Sequence, residues 1–163
     1  MKNNFQNLIE NVKKDWTTPK EIQNISSDLL FRCQFFHGID IQETNIFPKD
    51  FVDFYAVANG AYLFEDICFG QWGLQLLDIF LVDYKTNQFI EENRNYISGD
   101  YIVGEFLGDG ELLLLRVDKD ENDYGNVLIV NPITEREDWY KVENSFSAFI
   151  KNYIKNLGSK YWE

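Results

Sequence analysis

The sequence predicts an α+β fold in a single domain: a mostly antiparallel sheet with helices packed on it, N-terminal helices before it and a closing C-terminal helix. Three observations carry that prediction. Apolar residues recur with helical spacing at both ends of the chain. Short runs of aromatic and branched residues fill the middle. Glycine-containing connections of a few residues separate two of those runs, which suits an antiparallel join. A length of 163 residues fits one domain spanning 1–163, and a hydrophobic share of 45% excludes a chain disordered throughout. Neither an internal repeat nor a low-complexity linker interrupts it.

The first helix is capped by Asn4 and follows Phe5, Leu8, Ile9 and Val12 along one face. A second start signal lies at Thr18-Pro19-Lys20-Glu21, where Thr18 and Glu21 suit reciprocal capping and Pro19 suits the first turn. Ile22, Ile25 and Leu29 continue that face. Leu29 to Phe36 is apolar enough for either helix or strand. Pro48 opens a third helix with Asp50 and Asp53 near its positive end and a stripe of Phe51, Phe54, Tyr55 and Ala58, stopping at Asn59-Gly60.

Strands follow at Tyr62–Phe69 and Leu74–Val82, with Trp72-Gly73 in the turn between them. Asn87–Asn95 reads as a short helix or an excursion. Tyr101–Leu107, Gly108-Asp109-Gly110 and Leu112–Val117 form the clearest hairpin. Asp118–Gly125 is an acidic loop, and Val127–Val130 is a strand closed by Asn131-Pro132. Ser145 caps the last helix, whose stripe of Phe146, Phe149, Ile150, Tyr153, Ile154 and Leu157 ends at Gly158.

The charge balance bears on partners. With 27 acidic against 15 basic residues, the net charge is −12. Nucleic acid and anionic membranes repel such a body, because phosphate binding depends on Lys and Arg; neither is an expected partner. No apolar run approaches the ~20 residues of a spanning helix, and the first residues lack the charged-then-apolar order of a signal peptide. The expected location is the cytoplasm. Cys33 and Cys68 have no metal or redox spacing.

Acidic residues cluster. Phe51–Tyr84 holds five acids and no Lys or Arg, and Gly99–Asp123 holds eight acids against Arg116 and Lys119. Such runs serve either as a solubilising surface or as a docking face for a cationic partner. On the docking reading the partner-binding residues are Asp109, Glu111, Asp118, Asp120 and Glu121, joined by Glu65, Asp66 and Trp72. Trp72 enters because tryptophan in a turn is a frequent binding hot spot.

Catalytic chemistry finds little to work with. His37 stands alone beside Phe35 and Phe36, which suits a structural role, and it has no motif linking it to Cys33. Gly104, Gly108 and Gly110 do not follow the order of a phosphate cradle. Asp118, Asp120 and Asn122 match the start of a calcium loop, but Asp123 replaces its glycine and Ile129 its bidentate glutamate. The expectation is a non-enzyme with no cofactor, no metal and no catalytic residues.

Three stretches together resemble the SUKH superfamily. Phe47-Pro48-Lys49-Asp50-Phe51-Val52-Asp53-Phe54-Tyr55 leading to Asn59-Gly60 is similar to its signature helix. Tyr101-Ile102-Val103-Gly104 through Gly108-Asp109-Gly110-Glu111 to Arg116-Val117-Asp118 is similar to its central hairpin. Gly125-Asn126-Val127 and Asn144-Ser145-Phe146-Ser147-Ala148-Phe149-Ile150 resemble its last strand and closing helix. The likeness is strongest over 47–151; two features depart from the usual pattern, the stretch from Ile22 to Phe47, longer than the family's short connector, and residues 85–98, an added excursion. The resemblance implies a binding protein: in bacteria an immunity protein that neutralises a cognate polymorphic toxin, often a nuclease, or a regulator of the type linked in fungi to cell-wall synthesis. The expected partner is therefore a basic toxin whose active site an acidic face occludes, with the chain acting as a monomer or a homodimer.

Overall fold

The computed structural model describes residues 3–41 and 46–163. The N-terminal amphipathic pattern forms α1 (Asn4–Trp16), burying Phe5, Ile9, Val12 and Trp16. Its cap is Asn3, one position before the expected residue, with the side-chain oxygen accepting from the Phe5 amide at 2.9 Å. The second expected helix does not form. Lys20 and Phe31 exchange backbone hydrogen bonds as an isolated antiparallel bridge, and Asn24 takes a φ of +68°. Pairing with the sheet overrides a capping signal that is weak by itself. That bridge leads into β1 (Phe31–His37), so the ambiguous Leu29–Phe36 stretch is strand.

Pro48 opens α2 (Lys49–Val57), which buries Phe51, Phe54 and Tyr55. The helix does not reach Asn59-Gly60. It ends at Val57, and the chain passes directly into β2 (Ala58–Asp66). Gly60 has a φ of +91°, and a Cβ there would lie 2.8 Å from the Leu76 carbonyl oxygen. Its glycine serves a close approach of backbone to backbone, not a helix stop. The Asn59 side chain instead accepts from the Ile79 amide at 2.9 Å.

The apolar run from Leu74 to Val82 divides. Only β3 (Leu74–Leu76) is strand; Asp78 then caps α3 (Ile79–Glu92), accepting from the Phe80 and Leu81 amides at 2.9 and 3.0 Å. Short apolar runs do not distinguish the two conformations, and the cap decides. The polar stretch after it is the second half of α3. The hairpin forms as expected from β4 (Asp100–Phe106) and β5 (Leu112–Arg116), followed by β6 (Val127–Val130). A 3-10 turn at Arg136–Asp138 and β7 (Tyr140–Glu143) come unannounced, and α4 (Phe146–Lys155) closes the chain with Ser145 capping the Ala148 amide.

Among the described residues these are four α-helices and a seven-stranded sheet in which every strand is antiparallel to the next in sequence, from β1 to β7. Neighbouring residues on a strand point to opposite faces. Phe106 meets Tyr153 of α4 at 6.3 Å between ring centroids, whereas Glu105 pairs with Lys85 of α3 at 2.7 Å. Helices α4 and α3 therefore cover opposite faces. On the α4 side, α1 and α2 join through Phe5–Phe54 and Phe54–Phe146 edge contacts at 5.3 and 5.5 Å. Each such side chain, fully buried, contributes about 1.5–3 kcal/mol. On the α3 side Val82, Phe89 and Trp139 form a smaller core.

A buried ionic cluster ties β4, β5 and the 3-10 turn together. Asp100, wholly buried, binds Arg116 Nη1 at 2.9 Å and Arg136 Nη1 at 2.7 Å, and Arg116 Nε reaches Asp123 at 2.7 Å. Among the described residues no helix is long and apolar enough to cross a membrane.

Candidate functional site

The expected partner-binding residues lie at two ends of one strand. Asp109 and Glu111 precede β5 and Asp118, Asp120 and Glu121 follow it. Five residues at ~3.4 Å each put roughly 17 Å of strand between the groups. Glu65, Asp66 and Trp72 belong with the first group, because β2 and β4 run the same way and their outgoing turns share one end of the sheet.

At that end the carboxylates are largely committed to the protein itself. Lys160 binds Asp109 and Glu111 and lies 3.7 Å from Glu163. Burial by itself would lower the Lys160 pKa, but hydrogen bonds and charge from Asp109 and Glu111 outweigh it and hold the ammonium above its ordinary range. Glu65 pairs with Arg32 at 3.1 Å.

Asp66 is buried, accepting at Oδ1 from the Cys68 and Phe69 amides at 2.8 and 3.2 Å and at Oδ2 from the Gln71 amide at 3.4 Å. It organises the β2–β3 loop instead of offering charge to a partner. Held this way, the loop presents Ile67, Phe69 and Trp72 to solvent, with Phe69 67% and Trp72 56% exposed. Exposed aromatics on a loop whose backbone is already ordered fit the anatomy of binding hot spots.

The loop is also locked to its neighbour. The Leu107 amide donates to the Gly73 carbonyl at 2.9 Å. Gly108 has a φ of +95°, and a Cβ there would stand 2.2 Å from the Gln71 carbonyl oxygen. Between this loop, the β4–β5 turn and the tail after α4 runs a groove of about 550 Å³. Phe31, Phe64, Phe106 and Tyr153 line it, with Trp72 and Asp109 along it.

The second group is more open. Asp120 and Glu121 are exposed and, among the described residues, make no ion pair; Asp118 accepts from the Asp120 amide at 3.1 Å. This loop is anchored from below by Arg116 through Asp123. Among the described residues no group of three or more His, Cys, Asp or Glu is arranged to hold a metal ion. His37 ends β1 opposite Ala58. Cys33 is buried; desolvation pushes its thiol up to about 12, although the Phe64 amide donates to its sulfur and works the other way.

Sequence reasoning missed several exposed aromatics, of which Phe69, Phe80 and Tyr84 are the most exposed. Phe69 read as the end of a strand, whereas it tips the loop. Phe80 and Tyr84, 75% and 64% exposed, stand on the outer face of α3 beside the exposed Asp83. The signal that reveals them is Asp78 as a helix cap, which turns an alternating stretch into one face of a helix.

The family model described as SMI1 / KNR4 family (SUKH-1) matches residues 17–152. No curated protein and no solved structure matches the chain closely enough to extend the comparison. The match takes in the α2 helix, the β4–β5 hairpin and most of α4, the segments that carry the fold's core. The chain thus belongs to the SMI1/KNR4 (SUKH-1) family.

Proposed function

We propose that this protein is a cytoplasmic immunity protein that binds a cognate polymorphic toxin directly and neutralises it by covering its active site. The toxin is a basic protein, a nuclease in the simplest case, and covering it excludes the nucleic acid. The chain performs no reaction itself. Support comes first from the ordered β2–β3 loop, which leaves Phe69 and Trp72 more than half exposed on a molecule of net charge −12. Aromatic anchors in a preordered loop supply binding energy without a large ordering cost. The acidic surface supplies speed: complementary charge raises association by roughly 10–10³-fold at low salt.

Of the expected partner-binding carboxylates, Asp120 and Glu121 are exposed and, among the described residues, without an ion pair, whereas Asp109 and Glu111 already face Lys160. The test is titration of the adjacent gene's product, assayed for nuclease activity, with purified protein. Complete loss of nuclease activity at one chain per toxin, together with a co-eluting complex, is the expected result. Undiminished activity at micromolar excess with no complex would exclude the proposal.

A further inference from the structure

We infer that the groove between the β2–β3 loop, the β4–β5 turn and the tail after α4 seats a segment of the protein partner that carries a bulky apolar side chain next to arginine or lysine. The floor is apolar and aromatic, made by Phe31, Phe64, Phe106 and Tyr153 from three strands and α4. One side chain the size of phenylalanine or leucine fits a recess of this kind, and burying it contributes about 1.5–3 kcal/mol.

The rim selects the flanking charge. Asp109 and Glu163 line the rim beside the single ammonium of Lys160, and Glu111 holds that same ammonium from outside the groove, so the rim is net negative. A cation entering beside Glu163, which is 65% exposed and 3.7 Å from an ammonium already bound to Asp109 and Glu111, meets charge that Lys160 does not fully compensate, whereas a carboxylate meets repulsion. A second copy of this acidic chain is a poor occupant for the same reason.

The groove is already shaped for a ligand. Asp66 holds the β2–β3 loop from inside, Gly108 lets the β4–β5 turn rest on the Gln71 backbone, and Trp72 stands half exposed as one wall. This inference deepens the immunity reading and rests on it for the partner's identity alone. It separates the groove from the Asp118–Glu121 loop at the other end of β5, which steers but does not anchor.

Two capped pentapeptides serve as probes, one with phenylalanine between two arginines and one with phenylalanine between two glutamates. Amide shifts of the full ¹⁵N-labelled chain are followed by NMR. The arginine peptide is expected to move residues 66–73, 107–111 and 157–162, with the glutamate peptide about tenfold weaker. Trp72→Ala should weaken the arginine peptide roughly 30-fold, the size of a hot-spot loss. Leu157→Ser, at a 39% exposed residue lining the same groove, provides a second variant should the first lose its fold.

Shifts confined to residues 118–123, no shifts, or equal binding of both peptides would overturn the groove assignment. The toxin titration separates this from failure of the wider reading. Full neutralisation by a folded Trp72→Ala/Leu157→Ser chain, with loss in Asp120→Lys/Glu121→Lys, removes the groove and keeps the immunity role. Failure of the unaltered chain to neutralise removes that role regardless of the peptides.

Discussion

Replacing Asp100 with asparagine should be among the most damaging near-isosteric changes in this protein. The carboxylate is wholly buried and accepts four hydrogen bonds: Arg116 Nη1 at 2.9 Å, Arg136 Nη1 and Nη2 at 2.7 and 3.1 Å, and the Ile97 amide at 3.0 Å. The substituted side chain would keep one acceptor oxygen and turn an N–H group toward a guanidinium. Arg116, itself 1% exposed, would retain only Asp123 and the Ser98 carbonyl as partners. Breaking a buried ion pair from one side costs about 3–5 kcal/mol, because the surviving charge stays desolvated.

That is a large part of a typical stability of about 5–15 kcal/mol. Urea denaturation followed by tryptophan fluorescence is the assay. With a slope of about 2 kcal/mol per molar, the midpoint should fall by roughly 2 M at unchanged slope. Adding Arg116→Met should recover part of the loss, since the stranded charge is gone, giving a coupling of about 0.5–3 kcal/mol. A loss below about 1 kcal/mol for Asp100→Asn, or strictly additive behaviour of the pair, would refute this account of the cluster.

Four further outcomes follow from the same structure. Asp66→Ala should leave the Cys68 and Phe69 amides unpaired, costing about 1–3 kcal/mol and speeding their hydrogen exchange; unchanged exchange would show that the loop is ordered by something else. Gly108→Ala, forced into a φ of +95° against the Gln71 carbonyl, should destabilise by about 1–3 kcal/mol, and a neutral result in thermal melts would contradict the locked turn. In the native protein a disulfide reagent should titrate one thiol quickly, the exposed Cys68, with Cys33 appearing only in denaturant. Because the folded Cys33 pKa is raised from 9.0 to about 12, its contribution is complete below pH 9 and declines as pH rises toward 12. The slope is about 1.4 kcal/mol per pH unit, because the unfolded chain loses its proton first. Cys33→Ala should flatten that alkaline loss, and an unchanged pH profile would exclude the thiol as its source.

The residues that announced their own structure did so through local rules. Helix α4 was legible because Ser145 caps it and its apolar stripe repeats at helical spacing, and the β4–β5 hairpin because glycines flank Asp109. Pro48 set the start of α2 by the same logic. Where two conformations satisfied the local signal, long-range pairing chose. Lys20 bonds to Phe31, so the Thr18 capping box stays unused. Gly60 lies against Leu76, so Asn59-Gly60 became strand.

Composition determined the acidic character, and the order of motifs along the chain pointed to the family that the match over residues 17–152 shows. It did not determine which carboxylates are free, because that depends on which cation the fold brings beside each of them. Lys160 lies 51 positions from Asp109 and Arg32 lies 33 from Glu65, and Asp66 turns inward to amides that only a formed loop can offer. Charge is a property of residue type, but its availability at a surface is set by distance and burial, and those exist only once the sheet has assembled.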